Sequence, residues 1–189
     1  LLSVLRTRWA RVVLLAVLAE GILMLGPMAY LPAYLHLQHG FSLAAASALV
    51  ALYAVGGLVY SVCARRIVPA LGERRMVALG GCIMGAGFVA LWLSPLGWTA
   101  GPVTLAVGFG TYLLHNTLQT HATQMVPASR GTAVAVFAFC LFTGQAIGVS
   151  LAGLAWDHLG PAVMLLVPAA GLPLTGWWFG RALQRRKAN

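Results

Sequence analysis

The chain has 189 residues, of which 60% are hydrophobic and only 8% formally charged, 12 basic and 3 acidic. Soluble domains carry roughly 25% charged residues, so this composition excludes an ordinary water-facing domain, and it is too apolar for disorder. A formal net charge of +9 would suit a nucleic-acid binder only on a solvated polar face, and here the basic residues sit in short segments between apolar runs.

A membrane-spanning helix needs about 20 mostly apolar residues. In chain order the sequence predicts six, near Val12–Tyr34, Leu43–Cys63, Met76–Leu93, Val103–His121, Thr132–Ala155 and Ala162–Phe179. Turn material separates them at 39–42, 69–72, 94–97, 126–129 and 157–161. Backbone inside a bilayer must satisfy its own hydrogen bonds, and the alternating pattern of a barrel is missing, so the spans are helices. The expected fold is all-α and polytopic, with a cytoplasmic connector at 1–11, a membrane domain at 12–182 and a basic cytoplasmic tail at 183–189. The chain opens on Leu1 rather than methionine, which reads as a piece of something longer.

Six crossings place both termini and the loops after spans two and four on one side. That side holds all 12 basic residues: Arg6, Arg8, Arg11, Arg65, Arg66, Arg74, Arg75, Arg130, Arg181, Arg185, Arg186 and Lys187. The opposite loops offer only His36, His39, Asp157 and His158. By the positive-inside rule both termini are cytoplasmic, in a plasma membrane of the bacterial inner-membrane kind.

Polar side chains at bilayer depth are costly and mark cavities or helix contacts. Glu20 is the single carboxylate within a span. A buried carboxylate can bind and release a proton, so Glu20 is a candidate for proton coupling or substrate contact. Span four carries Thr111, Tyr112, His115, Asn116 and Gln119. At 100° per residue Gly108, Thr111, Tyr112, His115 and Gln119 share one face, and His115 titrates in the physiological range. Span five adds Gln145. This distribution puts spans one and four on a water-filled path, two and five beside it, and three and six against lipid. Gly144 with Gly148, and Gly81 with Gly85, read as close helix packing, and Gly26-Pro27 with Pro32 as a kink in span one.

Cys63, Cys82 and Cys140 are too scattered for a disulfide framework or a zinc site. His115 and His121 lie six apart and do not share a face. The sequence therefore predicts no enzyme, no cofactor and no metal.

Between spans two and three runs Gly56-Gly57, then Arg65-Arg66, then Leu71-Gly72-Glu73-Arg74-Arg75. Gly72 permits a sharp reversal, and Glu73 is placed to pair with a loop arginine. A weaker echo, Gly153 to Gly160, follows span five, as expected if spans one to three and four to six are inverted repeats. The basic loop resembles the G-x-x-x-D-R-x-G-R-R signature of the major facilitator superfamily, in the copy after the eighth helix. It departs in lacking the aspartate and in its slightly greater length. Ala128-Ser129-Arg130-Gly131-Thr132-Ala133, running on to Phe142-Thr143-Gly144-Gln145-Ala146-Ile147-Gly148, is similar to the eleventh-helix region of arabinose-efflux and drug-efflux permeases. The resemblance covers the chain as a C-terminal six-helix half of a twelve-helix transporter. It implies rocker-switch alternating access, with a cavity lined in this half mainly by its first and fourth helices. A small-molecule substrate and protons would be carried, and Gly57, Arg65, Arg66, Gly72, Glu73, Arg74, Arg75 and Arg130 would form the cytoplasmic gating loop. The partners implied are the lipid bilayer and an N-terminal six-helix half, in the same natural chain or a second copy. The alternative is a non-catalytic six-helix membrane subunit or assembly protein, in which Glu20 and the polar stripe would be interhelical glue.

Overall fold

A computed structural model describes residues 2–188, with side chains described for 4–186. Leu1, Asn189 and the Lys187 side chain of the expected tail lie outside the described residues. A short helix α1 (Leu2–Arg6) leads into α2 (Arg8–Glu20), which runs through a π-turn at Gly21–Leu25 into α3 (Gly26–His39). α4 (Leu43–Leu93), α5 (Ala100–Gln124), α6 (Arg130–Leu159) and α7 (Pro161–Ala188) follow, with single 3-10 turns at Gly97–Thr99 and Pro127–Ser129. The described residues are all helix and short connection.

The expected break in span one is a change of winding. Pro27 has no N–H to bond Leu23, and the backbone widens just before it: Gly26 N–H bonds the Gly21 carbonyl, five residues back. Such π-turns collect at functional sites. This one begins immediately after Glu20.

The loop expected between Cys63 and Met76 is helical on both sides of one residue. Gly72, at φ 69° and ψ 161°, reverses the chain and divides α4 into two limbs. The contacts fix their directions. Along the first limb, Thr104 Oγ1 donates to the Leu49 carbonyl at 2.7 Å, Gly108 crosses Tyr53, and Gly57 meets the Tyr112 ring. That limb is parallel to α5. Along the second, Gly87 meets Val107 while Gly80 meets Gly110 and Leu114, so it is antiparallel. The same limb runs against α7, where Gly81 faces Leu172 and Gly176 faces Val77. The second limb is thus wedged between α5 and α7, exposing only one side through Leu79, Val89 and Leu93. Only that side is left open to the surroundings, where the whole helix was expected against lipid.

α6 runs parallel to the α2–π–α3 rod: Gly144 crosses Leu18, and Gly148 crosses Ile22 and Gly26. A Cβ on any of these glycines would enter the facing backbone, so the small residues are what permit the crossing. Gly81 and Gly85 do the same toward α7. These directions bring the start of α2, the Gly72 reversal, the end of α5 and the end of α7 to one end of the bundle. The described arginines gather there. Tyr34, His39, Phe41, Trp98 and Trp156 cluster at the other end.

Among the described residues, four helical stretches are long and apolar enough to cross a membrane: Arg8–His39, Leu43–Leu93, Pro127–Leu159 and Pro161–Arg186. α5 is not among them, because its threonines, Asn116, Gln119 and histidines lower its hydropathy. Most of those side chains nearest the core are covered by α2, α4 and α6 rather than by lipid, with Thr104, Thr111, Thr117 and His121 buried.

Candidate functional site

Glu20, the last residue of α2, is 1% exposed. Facing it on α5 is His115, 24% exposed, with Nδ1 2.9 Å from Glu20 Oε2. When the carboxyl is ionised the ring N–H donates and the carboxylate oxygen accepts. The ring also lies 5.7 Å, centroid to centroid, from Phe137 of α6, so three elements meet here. Glu20 Oε1 is buried and has no hydrogen-bond partner among the described residues.

The chemistry follows from charge. A lone carboxylate in hydrocarbon is expensive, and an adjacent imidazolium offsets much of that. With one shared proton the pair is net neutral, whether the proton sits on the ring or on the carboxyl. Adding or removing a proton leaves one net charge on the pair. The arrangement can therefore store a proton and exchange it against a ligand reaching Oε1.

The other stripe residues do not converge on this pair. Thr111 Oγ1 donates to the Val107 carbonyl at 2.8 Å and approaches Met84 Sδ at 3.2 Å, facing the second limb of α4. Tyr112 packs on Gly57 and lies 6.1 Å from the Tyr60 ring, facing the first limb. Asn116 is half-buried, Gln119 exposed, and Gln145 half-buried on α6 beside the Gly144 crossing. One face of a helix this central meets several neighbours, which the 100° rule does not reveal. Tyr53, a polar residue of span two, lies on the first limb where Gly108 of α5 crosses it.

In the basic loop Arg65, Arg66, Arg74, Arg75 and Arg130 are exposed, Gly57 is buried, and Gly72 makes the reversal. Glu73, expected to face a loop arginine, comes within ion-pair distance of His121: Oε1 is 3.3 Å from Nε2. His121 is buried, 6% exposed. Arg186 donates to its Nδ1 at 3.1 Å, which leaves the ring proton on Nε2, toward Glu73. Trp9 meets the His121 ring edge-on at 5.3 Å, stacks on Phe179, and carries the Arg186 guanidinium 4.6 Å over its face. This second polar cluster joins α2, α4, α5 and α7. Its readable signal was Trp9 between arginines at the head of a span, the mark of a membrane interface.

No group of three or more potential metal ligands occurs among the described residues. The three cavities described at the surface are lined by residues of the arginine-rich end, and none by Glu20 or His115. No curated protein matches the chain. The sequence profile of the Major Facilitator Superfamily matches residues 1–149, well over half of the chain, and on that match the chain belongs to this superfamily of membrane transporters.

Proposed function

We propose that the chain works as the C-terminal half of a proton-coupled efflux transporter of the drug-efflux and arabinose-efflux kind, moving a small molecule by alternating access. In this reading α4 crosses the bilayer twice and α5 once, giving six crossings in two inverted three-helix repeats. The arginine-rich end is cytoplasmic, as the positive-inside rule requires, in the inner membrane of a bacterium. An N-terminal half, from the same natural chain or a second copy, closes the open side along α2 and α5. The proton-binding element is the Glu20–His115 pair, and the observation that carries the reading is its geometry. A fully buried carboxylate holds one histidine at 2.9 Å, and its second oxygen, beside a π-turn, has no partner among the described residues. Asn116, Gln119 and Gln145 line the substrate path around it. Thr111 and Tyr112 hold α5 against α4. The basic loop gates the cytoplasmic side, with Glu73 latched to His121.

The test is transport by inverted vesicles under an imposed pH gradient, using the full-length protein. Glu20→Gln is expected to abolish gradient-driven uptake, by at least a hundredfold, while surface expression and elution remain those of the parent. His115→Gln should do nearly the same. Gradient-driven transport that survives both substitutions, with only stability reduced, would overturn the pair as the proton-binding element, and a parent protein that carries nothing would favour the non-transporting subunit.

A further inference from the structure

A cavity of about 710 Å³ opens between the first turn of α2 and the last turns of α7. Arg8 and Trp9 form one wall, and Trp177, Arg181, Arg185 and Arg186 form the other. No acidic side chain lines it. The neighbouring groove at the Gly72 reversal, by contrast, includes Glu73. Four guanidiniums converging without a carboxylate repel one another, and the arrangement is relieved by an anion. The rings set the geometry: Arg181 lies 3.9 Å over Trp177 and Arg186 lies 4.6 Å over Trp9. Stacking occupies the face of a guanidinium and not its N–H edge; apart from the Arg186 N–H given to His121 Nδ1, these edges suit the bidentate hydrogen bonds that phosphate oxygens accept.

Position identifies the source of the phosphate. Trp177 and Trp178 are exposed on the outer face of α7, and exposed tryptophans of membrane helices sit at headgroup depth. Basic pockets between membrane helices at that depth take anionic lipid headgroups. We propose that this cavity binds the phosphodiester headgroup of an anionic phospholipid, with the arginines on its phosphate oxygens and the indoles beside its glycerol and upper acyl chains. The site is distinct from the transport pair, since neither Glu20 nor His115 lines it, and it does not depend on which substrate is carried.

The experiment titrates the purified full-length protein in detergent with dioleoyl-phosphatidylglycerol and counts retained lipid by native mass spectrometry. Dioleoyl-phosphatidylcholine and soluble glycerol phosphate serve as the parallel arms. Saturable retention of the anionic lipid alone is expected. Each lining arginine is worth roughly fivefold in affinity, so R181Q/R185Q should weaken retention at least tenfold, and R8Q on the opposite wall should weaken it separately. R65Q/R66Q removes the same charge away from the cavity and should leave retention unchanged. Equal loss in R65Q/R66Q would overturn the site in favour of bulk charge. Equal retention of phosphatidylcholine, or equal competition by glycerol phosphate, would overturn the anionic-lipid assignment.

Discussion

A carboxylate and an imidazole held at 2.9 Å in a membrane bundle can serve stability, proton exchange, or both, and substitution separates these. Removing one partner of a buried pair leaves the other uncompensated, which costs about 3–5 kcal/mol. Replacing both by apolar groups of similar volume removes that penalty. H115L should therefore unfold at markedly lower denaturant, and E20L/H115L should return close to the parent, while neither variant transports. Recovery of stability without recovery of transport identifies a working pair, and an H115L variant as stable as the parent would mean the contact is not made. Both residues were readable in the sequence, Glu20 as a lone carboxylate in a span and His115 from its polar stripe. Their contact was not, because 95 positions separate them and no local pattern encodes which face of α5 meets α2. For the same reason the sequence does not show that Thr111 and Tyr112 each meet a limb of α4.

At the level of the elements, backbone conformation at one glycine decides the topology of α4. The sequence singled out Gly72 as the reversal, and the helical limbs extend closer to it than the apolar runs suggested. Ala64, Ala70, Leu71 and the arginines are good helix formers and need no membrane to stay helical. Gly72 is exposed, with nothing within 4 Å of an added Cβ. A methyl group there meets no neighbour, so any cost comes from φ 69° and ψ 161°, a region almost confined to glycine. Gly72→Ala should destabilise the purified protein by about 1–3 kcal/mol, read as a lowered thermal midpoint. Gly131 also has open space around its Cβ but lies inside the first turn of α6, so Gly131→Ala should be neutral or slightly stabilising. Equal effects at the two sites would show that space, and not conformation, governs the reversal. The π-turn had no comparable signal, since Gly26-Pro27 announces an irregularity and not its kind.

For the whole molecule, charge and fold were derived from separate observations and agree. The arginines are scattered along the sequence, yet helix directions read from glycine crossings and from Thr104, Trp9 and Phe179 contacts bring the described ones to one end. Composition alone could give this sorting, because the positive-inside pattern is written in the loops. It could not give the depth at which α5 is enclosed, since a polar helix shielded by its neighbours scores as barely apolar. Topology then has a direct consequence. If α4 crosses twice, the Gly72 reversal and the α4–α5 connection lie on opposite sides of the membrane, and the α6–α7 connection shares the side of the latter. Single cysteines at Ala70, Ser94 and Asp157, introduced after replacing Cys63, Cys82 and Cys140 by serine, report this directly. In intact right-side-out cells an impermeant maleimide should label the Ser94→Cys and Asp157→Cys proteins and reach the Ala70→Cys protein only after permeabilisation. Labelling of the Ala70 and Ser94 variants from the same side would remove one crossing of α4. The arginine-rich end would then no longer be a single cytoplasmic surface, and Glu20 and His115 would lie on helices whose relative depth had to be assigned afresh.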